Sequence, residues 1–99
     1  RKYDVTHTNM LGAIAAFIVA QSPSEYDKDH KLAVIGSAPL PSEPERIFRE
    51  RFGVKQVLPL YGMTEVNIPI YGLKNEIGNG KCGKVYEKYF EVEIRNPEN

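Results

Sequence analysis

An α/β fold is predicted by this sequence: a βαβ unit of a mostly parallel sheet with flanking helices and a C-terminal strand. Three observations predict it. Two continuous apolar runs, Leu32–Ile35 and Val54–Leu60, lack the alternation of a half-solvated strand and read as strands buried on both faces. Between them, Ser42 to Phe52 is amphipathic, has the length of a short helix, and is followed by Gly53. Strand, helix and strand in that order make a crossover, which is right-handed almost without exception, so the strands run parallel and their carboxyl ends meet at one edge.

Taken in order, Tyr3 to Thr8 alternates and holds β-branched residues, which suits a short strand. Thr8 or Asn9 can cap the helix that follows. Leu11, Ile14, Ala15 and Ile18 fall at helical spacing, and Ala13, Ala16, Phe17 and Val19 fill the other faces, a pattern expected of a buried helix. Ser22-Pro23-Ser24 ends it, because proline cannot continue a helix. Ser24 to Lys31 is polar and reads as a solvated loop, with His30 at the surface and His7 an ordinary histidine without a metal-ligand partner at useful spacing.

After Leu32–Ile35, Gly36 closes the strand and a loop with two prolines follows. Ser42 and Glu45 match a capping box, and Glu43 and Glu45 suit the positive start of a helix. Ile47 and Phe48 face inward, while Arg46, Arg49, Glu50 and Arg51 read as its solvated face. Val66 to Tyr71 is β-prone, with Pro69 confining it to an edge or a loop. Gly72 to Gly83 contains four glycines and no hydrophobic periodicity, and reads as a loop without a Walker-type phosphate pattern. Val85 to Arg95 closes the chain as a strand or bent strand pair.

The totals bound the function. Ninety-nine residues suit one small domain or part of a larger one. Lys plus Arg and Asp plus Glu are 13 each and form no basic block, which argues against a nucleic-acid surface. One cysteine excludes an internal disulfide and fits a reducing, cytoplasmic location. The longest apolar run, Met10 to Ala20, is shorter than the roughly 20 residues that cross a bilayer. The start at Arg1 and the turn chemistry of Asn96-Pro97-Glu98-Asn99 read as the ends of an excerpt. Such an excerpt is expected to expose apolar faces and to self-associate.

The chemistry concentrates in Leu58-Pro59-Leu60-Tyr61-Gly62-Met63-Thr64-Glu65. An apolar run delivers a hydroxyl and a carboxylate to the carboxyl edge of a sheet, where open α/β sheets bind ligands. Gly62 permits a tight turn or a close approach. Thr64 can donate to a phosphate oxygen, and Glu65 is a hard oxygen ligand for Mg²⁺. The same residues equally describe a strand end followed by a Thr/Glu turn or helix start.

Tyr61-Gly62-Met63-Thr64-Glu65 resembles the Tyr-Gly-x-Thr-Glu signature of the adenylate-forming, AMP-binding superfamily. That superfamily comprises acyl-CoA ligases, luciferases and peptide-synthetase adenylation domains. Gly36-Ser37-Ala38-Pro39-Leu40 is similar to its Gly-Gly-Ala-Pro-Leu strand end. Gly80-Lys81-Cys82-Gly83-Lys84 is similar to its Gly-x-x-Gly-Lys/Arg turn, with Glu91-Val92-Glu93-Ile94 as the strand beyond. Lys2 to Thr6 and Glu50 to Val54 are similar in wording to the carnitine and crotonobetaine–CoA ligase branch.

The resemblance implies that residues 1–99 are part of the large N-terminal domain of an ATP-dependent acyl-CoA ligase of fatty-acid metabolism. It implies a carboxylic acid, ATP, Mg²⁺ and coenzyme A as reaction partners. By position, Thr64 and Glu65 would be catalytic and Glu65 the metal ligand. Gly36, Ser37, Ala38, Pro39, Tyr61, Gly62 and Thr64 would contact the nucleotide. Gly62, Met63, Cys82 and Gly83 would line the acyl pocket, with Cys82 as packing rather than nucleophile. Pro59-Leu60 and Tyr86-Glu87-Lys88-Tyr89 depart from the family's pattern, and this bears on the shape of the acyl pocket. The family's phosphate loop, ribose aspartate and catalytic lysine do not occur in these 99 residues, so the excerpt itself is expected to be inactive. An amino-acid adenylation domain of a peptide synthetase, or a non-catalytic α/β interaction module, are the alternatives.

Overall fold

The computed structural model describes residues 2–39, 41–72 and 81–98. Its elements are β1 (His7–Leu11), α1 (Gly12–Val19), β2 (Val34–Ala38), α2 (Ser42–Glu50), β3 (Gln56–Met63), β4 (Asn67–Tyr71) and β5 (Lys84–Val85). They form one mixed sheet of five strands in the order β1-β2-β3-β4-β5. β1, β2 and β3 are parallel, with Ile35 opposite Thr8 on one side and Val57 on the other. The expected βαβ unit is therefore present, with Leu32–Ile35 and Gln56–Leu60 contributing to neighbouring parallel strands.

Both helices lie on one face. Ala15 from α1, Phe48 from α2, Val54, and Ile35 and Val57 from the sheet form the buried core. Met10, Ile18, Val19, Leu32 and Phe52 pack around it, and Phe48 and Phe52 meet at a centroid distance of 5.5 Å. Fully burying side chains of this size contributes about 1.5–3 kcal/mol each. The helix predicted to be buried all round covers only part of itself: Ala15 is inaccessible, yet Phe17 remains 71% exposed. With helices on one side only, α1 has a single face of sheet to pack against.

Several local expectations give way to competing interactions. Thr8 and Asn9 belong to β1, and α1 follows directly from Leu11 without a side-chain cap. Pairing with β2 continues to Leu11, and this outcompetes a cap further upstream. The Ser42–Glu45 capping box does not form; Pro41 occupies the N-cap, and Glu45 instead accepts hydrogen bonds from Arg49. His30 is half-buried, its Nδ1 accepting the Leu32 N–H at 3.0 Å.

Arg51 is the largest departure from its expected solvent role. Its Nε donates to Asp27 Oδ2 at 2.6 Å, and its two terminal nitrogens donate to the carbonyls of Val19, Gln21 and Ser22. The last carbonyls of a helix have no intrahelical partner, so Arg51, just beyond α2, satisfies the end of α1. Its guanidinium also lies 4.7 Å from the Phe52 ring centroid. Gly53 then reverses the chain at φ 70°, as its sequence position requires.

The second half diverges more. β3 does not stop at Leu60 but runs to Met63, because β4 pairs with it antiparallel. Pro69 does not confine β4 to an edge: β4 lies between β3 and β5. Ile68 and Pro69 together face the single residue Gly62, since Tyr61 pairs with Ile70 and Met63 with Asn67. A bulge is where a residue without an N–H does least harm to a ladder. Of the predicted strand over Val85–Arg95, only its first residue is in β5. Residues 91–94 form no strand, and Ile94 is 97% exposed. Residues 73–80, most of the glycine loop, lie outside the described residues.

Replacing Arg51 by lysine keeps the charge but loses the planar fork. Hydrogen bonds to charged groups contribute about 1.5–3 kcal/mol each, so Arg51→Lys is expected to lower stability by at least about 2 kcal/mol. Urea unfolding of the two chains at equal m-value measures it; coincident midpoints would show that water serves those carbonyls equally well.

Candidate functional site

The carboxyl edge of the parallel strands carries an open groove of about 590 Å³, lined by the sheet face opposite the helices and, at its end, by Ile14 of α1. Strand pleating decides which residues reach it. Asn9 pairs with Gly36 and Leu11 with Ala38, so these four share one face, together with Leu60 and Gly62 from β3. The floor is small: a side chain at Gly36 would run into the Asn9 side-chain oxygen and approach Leu60 at 3.3 Å. Leu11, Ile14, Leu60, Met63 and Ile68 make most of the lining apolar, and Asn9, Thr64 and Asn67 supply the polar groups.

The hairpin of β3 and β4 overhangs this edge. β2 ends at Ala38, level with Leu60, and β3 continues three residues further, about 10 Å at strand rise. Thr64, Glu65 and Val66 form the tip, closed by the Val66 N–H donating to the Met63 carbonyl at 3.2 Å. Asn67 takes φ 62°, a left-handed conformation that asparagine tolerates better than most residues. Thr64 and Glu65 therefore sit in a β-turn rather than at a helix start. Gly62 does not turn the chain. It admits the backbone of Asn67 and Ile68, which would collide with any side chain there.

Gly36, Ala38, Gly62, Met63 and Thr64 thus meet around one groove. The other candidate residues are placed differently. Ser37 is completely buried on the helix side, its hydroxyl donating to the Pro39 carbonyl at 3.4 Å, so only its backbone is near the edge. Pro39 is exposed beyond β2, against Gly12 at the start of α1. Tyr61 is exposed on β3 and is not in the groove lining. Glu65 is exposed at the hairpin tip, outside the lining. Cys82 and Gly83 precede β5 and are also outside it; Gly83 has φ 114° and packs against the Tyr71 backbone. Gly80 lies outside the described residues.

Sequence reasoning did not pick out Asn9, Leu11, Ile14, Asn67 or Ile68 as groove residues. The pairing of β1 with β2 brings in Asn9 and Leu11, and α1 adds Ile14. Asn67, a turn-prone residue at the start of the second β-prone run, was the available signal for the hairpin.

No group of three or more His, Cys, Asp or Glu side chains converges among the described residues. Glu65 makes no ion pair among them. One carboxylate and one adjacent hydroxyl do not form a cation cage. They do fit Mg²⁺ shared with substrate phosphates, since that ion keeps waters and takes only one or two carboxylates from the protein.

The chain belongs to the AMP-binding enzyme family, whose model matches residues 1–99. Mouse (Mus musculus) long-chain fatty acid transport protein 6 is 32% identical over 95 residues, covering 95% of this chain and 15% of that protein. Crotonobetaine/carnitine–CoA ligase of Shigella dysenteriae is 35% identical over 107 residues, covering 100% of this chain and 19% of that protein. The chain thus spans less than a fifth of the length of either relative. In solved structures, the luciferase-like enzyme of the mealworm Zophobas morio matches 85% of this chain and 22% of its own, at TM-score 0.62 and 18% identity, a likeness of fold.

Gly62→Ala places a methyl against the Asn67 carbonyl and within 3.0 Å of Ile68 Cα. Overpacking of this kind costs about 1–3 kcal/mol. The expected result is a lower unfolding midpoint together with faster amide exchange in β4; wild-type exchange in β4 would show that the bulge absorbs the methyl.

Proposed function

We propose that residues 1–99 are a segment of the N-terminal AMP-binding domain of an ATP-dependent carboxylic acid–CoA ligase. The observation that carries this is the overhanging hairpin, which holds Thr64 and Glu65 beside the groove floored by Gly36, Ala38 and Gly62. In the reaction, a substrate carboxylate oxygen attacks the α-phosphorus of ATP. The bond to the β-phosphate oxygen breaks and pyrophosphate leaves, giving an acyl-adenylate. The thiol sulfur of coenzyme A then attacks the acyl carbon, AMP departs, and the thiol proton passes to solvent.

Charge accumulates on phosphate oxygens in the first step, and preorganised donors stabilise it. Thr64, in the groove lining, would donate its hydroxyl to such an oxygen. Glu65 would hold Mg²⁺, which would neutralise phosphate charge when bound. The backbone of residues 36–39 offers a wall for the nucleotide, with Tyr61 beside it. Gly62 and Met63 would shape the acyl side, while Cys82 and Gly83, which precede β5, lie outside this groove. A single cysteine accords with a cytoplasmic setting, and no described helix is long and apolar enough to cross a membrane.

In the full-length protein, Glu65→Gln is expected to slow ATP–pyrophosphate exchange by on the order of 10²-fold, because a neutral amide is a poorer ligand for a hard dication. Thr64→Val removes the hydroxyl at nearly constant shape and is expected to slow it as well. The 99-residue chain alone is expected to be inactive. Unchanged exchange in Glu65→Gln would reduce Thr64 and Glu65 to turn residues.

The isolated chain is also expected to self-associate. Leu11, Ile14 and Phe17 expose apolar surface in and beside α1, and contiguous patches of this kind drive association. Sedimentation at increasing concentration tests this; a constant monomer mass would contradict it.

A further inference from the structure

Another hollow, of about 410 Å³, lies at the opposite, amino edge of the parallel strands, where the segments leading into β2 and β3 meet the end of α2. Lys28, His30 and Lys31 line it from the loop before β2 and Lys55 from the turn before β3, while Leu32 and Phe52 supply an apolar wall. These bases form no run in the sequence; the fold brings them together, with the Lys28 stem alongside Gly53. His30 is fixed in place, since its Nδ1 accepts the Leu32 N–H at 3.0 Å, and this leaves Nε2 as a proton donor. Among the described residues the lining holds no carboxylate. Asp4 reaches Lys31 at 2.8 Å from the segment before β1, Asp27 is committed to Arg51, and Asp29 lies outside the hollow. The carboxyl end of α2 adds about half a negative charge. Three lysines are therefore only partly balanced here, whereas Arg46, Arg49 and Arg95 each pair with a glutamate.

We infer that this hollow binds a small organic phosphate, with the phosphate among Lys28, Lys31, Lys55 and His30 and the organic part against Leu32 and Phe52. A phosphate monoester carries about 1.5 to 2 negative charges at pH 7 and three strong acceptor oxygens. Lysines meet such charge as point charges, and His30 Nε2 adds a donor of fixed position. A carboxylate brings a single charge and leaves more of the lysine charge unmatched. Inorganic phosphate leaves the apolar wall uncovered, and apolar walls with a few convergent polar groups are the usual make-up of small-molecule sites. The five residues of β2 separate the hollow from the groove at the carboxyl edge by about 16 Å at strand rise. The two sites are therefore distinct, and the inference does not rest on the adenylation reading.

The test is calorimetric titration of the full-length protein with phenyl phosphate, benzoate and inorganic phosphate. Phenyl phosphate is expected to bind most tightly, with benzoate and inorganic phosphate each weaker by about 10-fold, the first for its missing charge and the second for its missing ring. Lys28→Gln and Lys55→Gln are each expected to weaken phenyl phosphate by about 5-fold, the scale of one exposed charge contact. Lys55→Arg keeps the charge and is expected to bind like wild type. Unchanged thermal unfolding midpoints in the glutamine variants show that the loss is one of binding and not of folding. Absence of saturable binding of phenyl phosphate overturns the inference, as does an affinity unmoved by both glutamine variants. Equal affinity for benzoate removes the need for a dianion, and equal affinity for inorganic phosphate removes the role of the apolar wall; either overturns it. Cosedimentation with phosphatidylcholine vesicles containing phosphatidate, without binding of phenyl phosphate, also overturns it and assigns the lysines to a lipid headgroup.

Discussion

Strand order β1-β2-β3 moves across the sheet in one direction, and each step is made by a crossover of the same hand. Both helices must then fall on one face. They do: Ala15 and Phe48 meet over Ile35 and Val57 in a single core. The consequence for function is geometric. The opposite face of the sheet stays open, and the carboxyl ends of three strands converge beside it. Asn9, Gly36 and Leu60, far apart in sequence, become neighbours only because of this arrangement. Reversing one strand would move its alternate residues away from the groove and remove the shared edge.

Among the described residues, a core of five buried apolar side chains is small for holding two helices against a sheet, and conformational entropy opposes folding by about 1–2 kcal/mol per residue for the backbone alone. Arg51 adds a polar tie where apolar contact runs out. It links the end of α2 to the end of α1 and to the following loop through Asp27, with both carboxylate and guanidinium mostly shielded from water. The more exposed pairs, such as Lys31–Asp4 and Arg46–Glu50, are of the kind that contributes at most about 1 kcal/mol. The difference lies in the carbonyls of Val19, Gln21 and Ser22, which Arg51 also serves.

Those parts of the fold governed by strong local signals were legible in the sequence. The apolar runs at Leu32–Ile35 and Val54–Leu60, the amphipathic stretch between them and Gly53 at its end specified the βαβ unit. Gly36 to Ala38 and Tyr61-Gly62 were legible as sharing one edge because the crossover rule aligns strand ends, while Met63 and Thr64 joined them through the family resemblance. What was not legible depended on choices between competing partners. Ser42 and Glu45 spell a cap, but Arg49 lies one turn along and takes the glutamate. Tyr61-Gly62 looks like a strand end, yet β4 supplies a partner that carries the strand onward. Arg51 looks like surface until the end of α1 arrives beside it. Each is a long-range contact or a competition between near-equal local interactions, and neither leaves a periodic trace.

The hairpin also changes how anionic charge can be met at this edge. Two helices begin there, and a helix start carries partial positive charge. The two starts are not equivalent. α2 has Glu43 and Glu45 in its first turn, which offset its own dipole. α1 has no acidic residue in its first turn and no side-chain cap, and its neighbours Leu11 and Ile14 line the groove. Thr64 approaches from the other side, on a β-turn rather than a helix. Among the described residues, the groups beside the groove that can favour an anion are side-chain donors and the uncapped start of α1. On the proposed reading, Mg²⁺ held at Glu65 would add positive charge beside these groups when a triphosphate is bound.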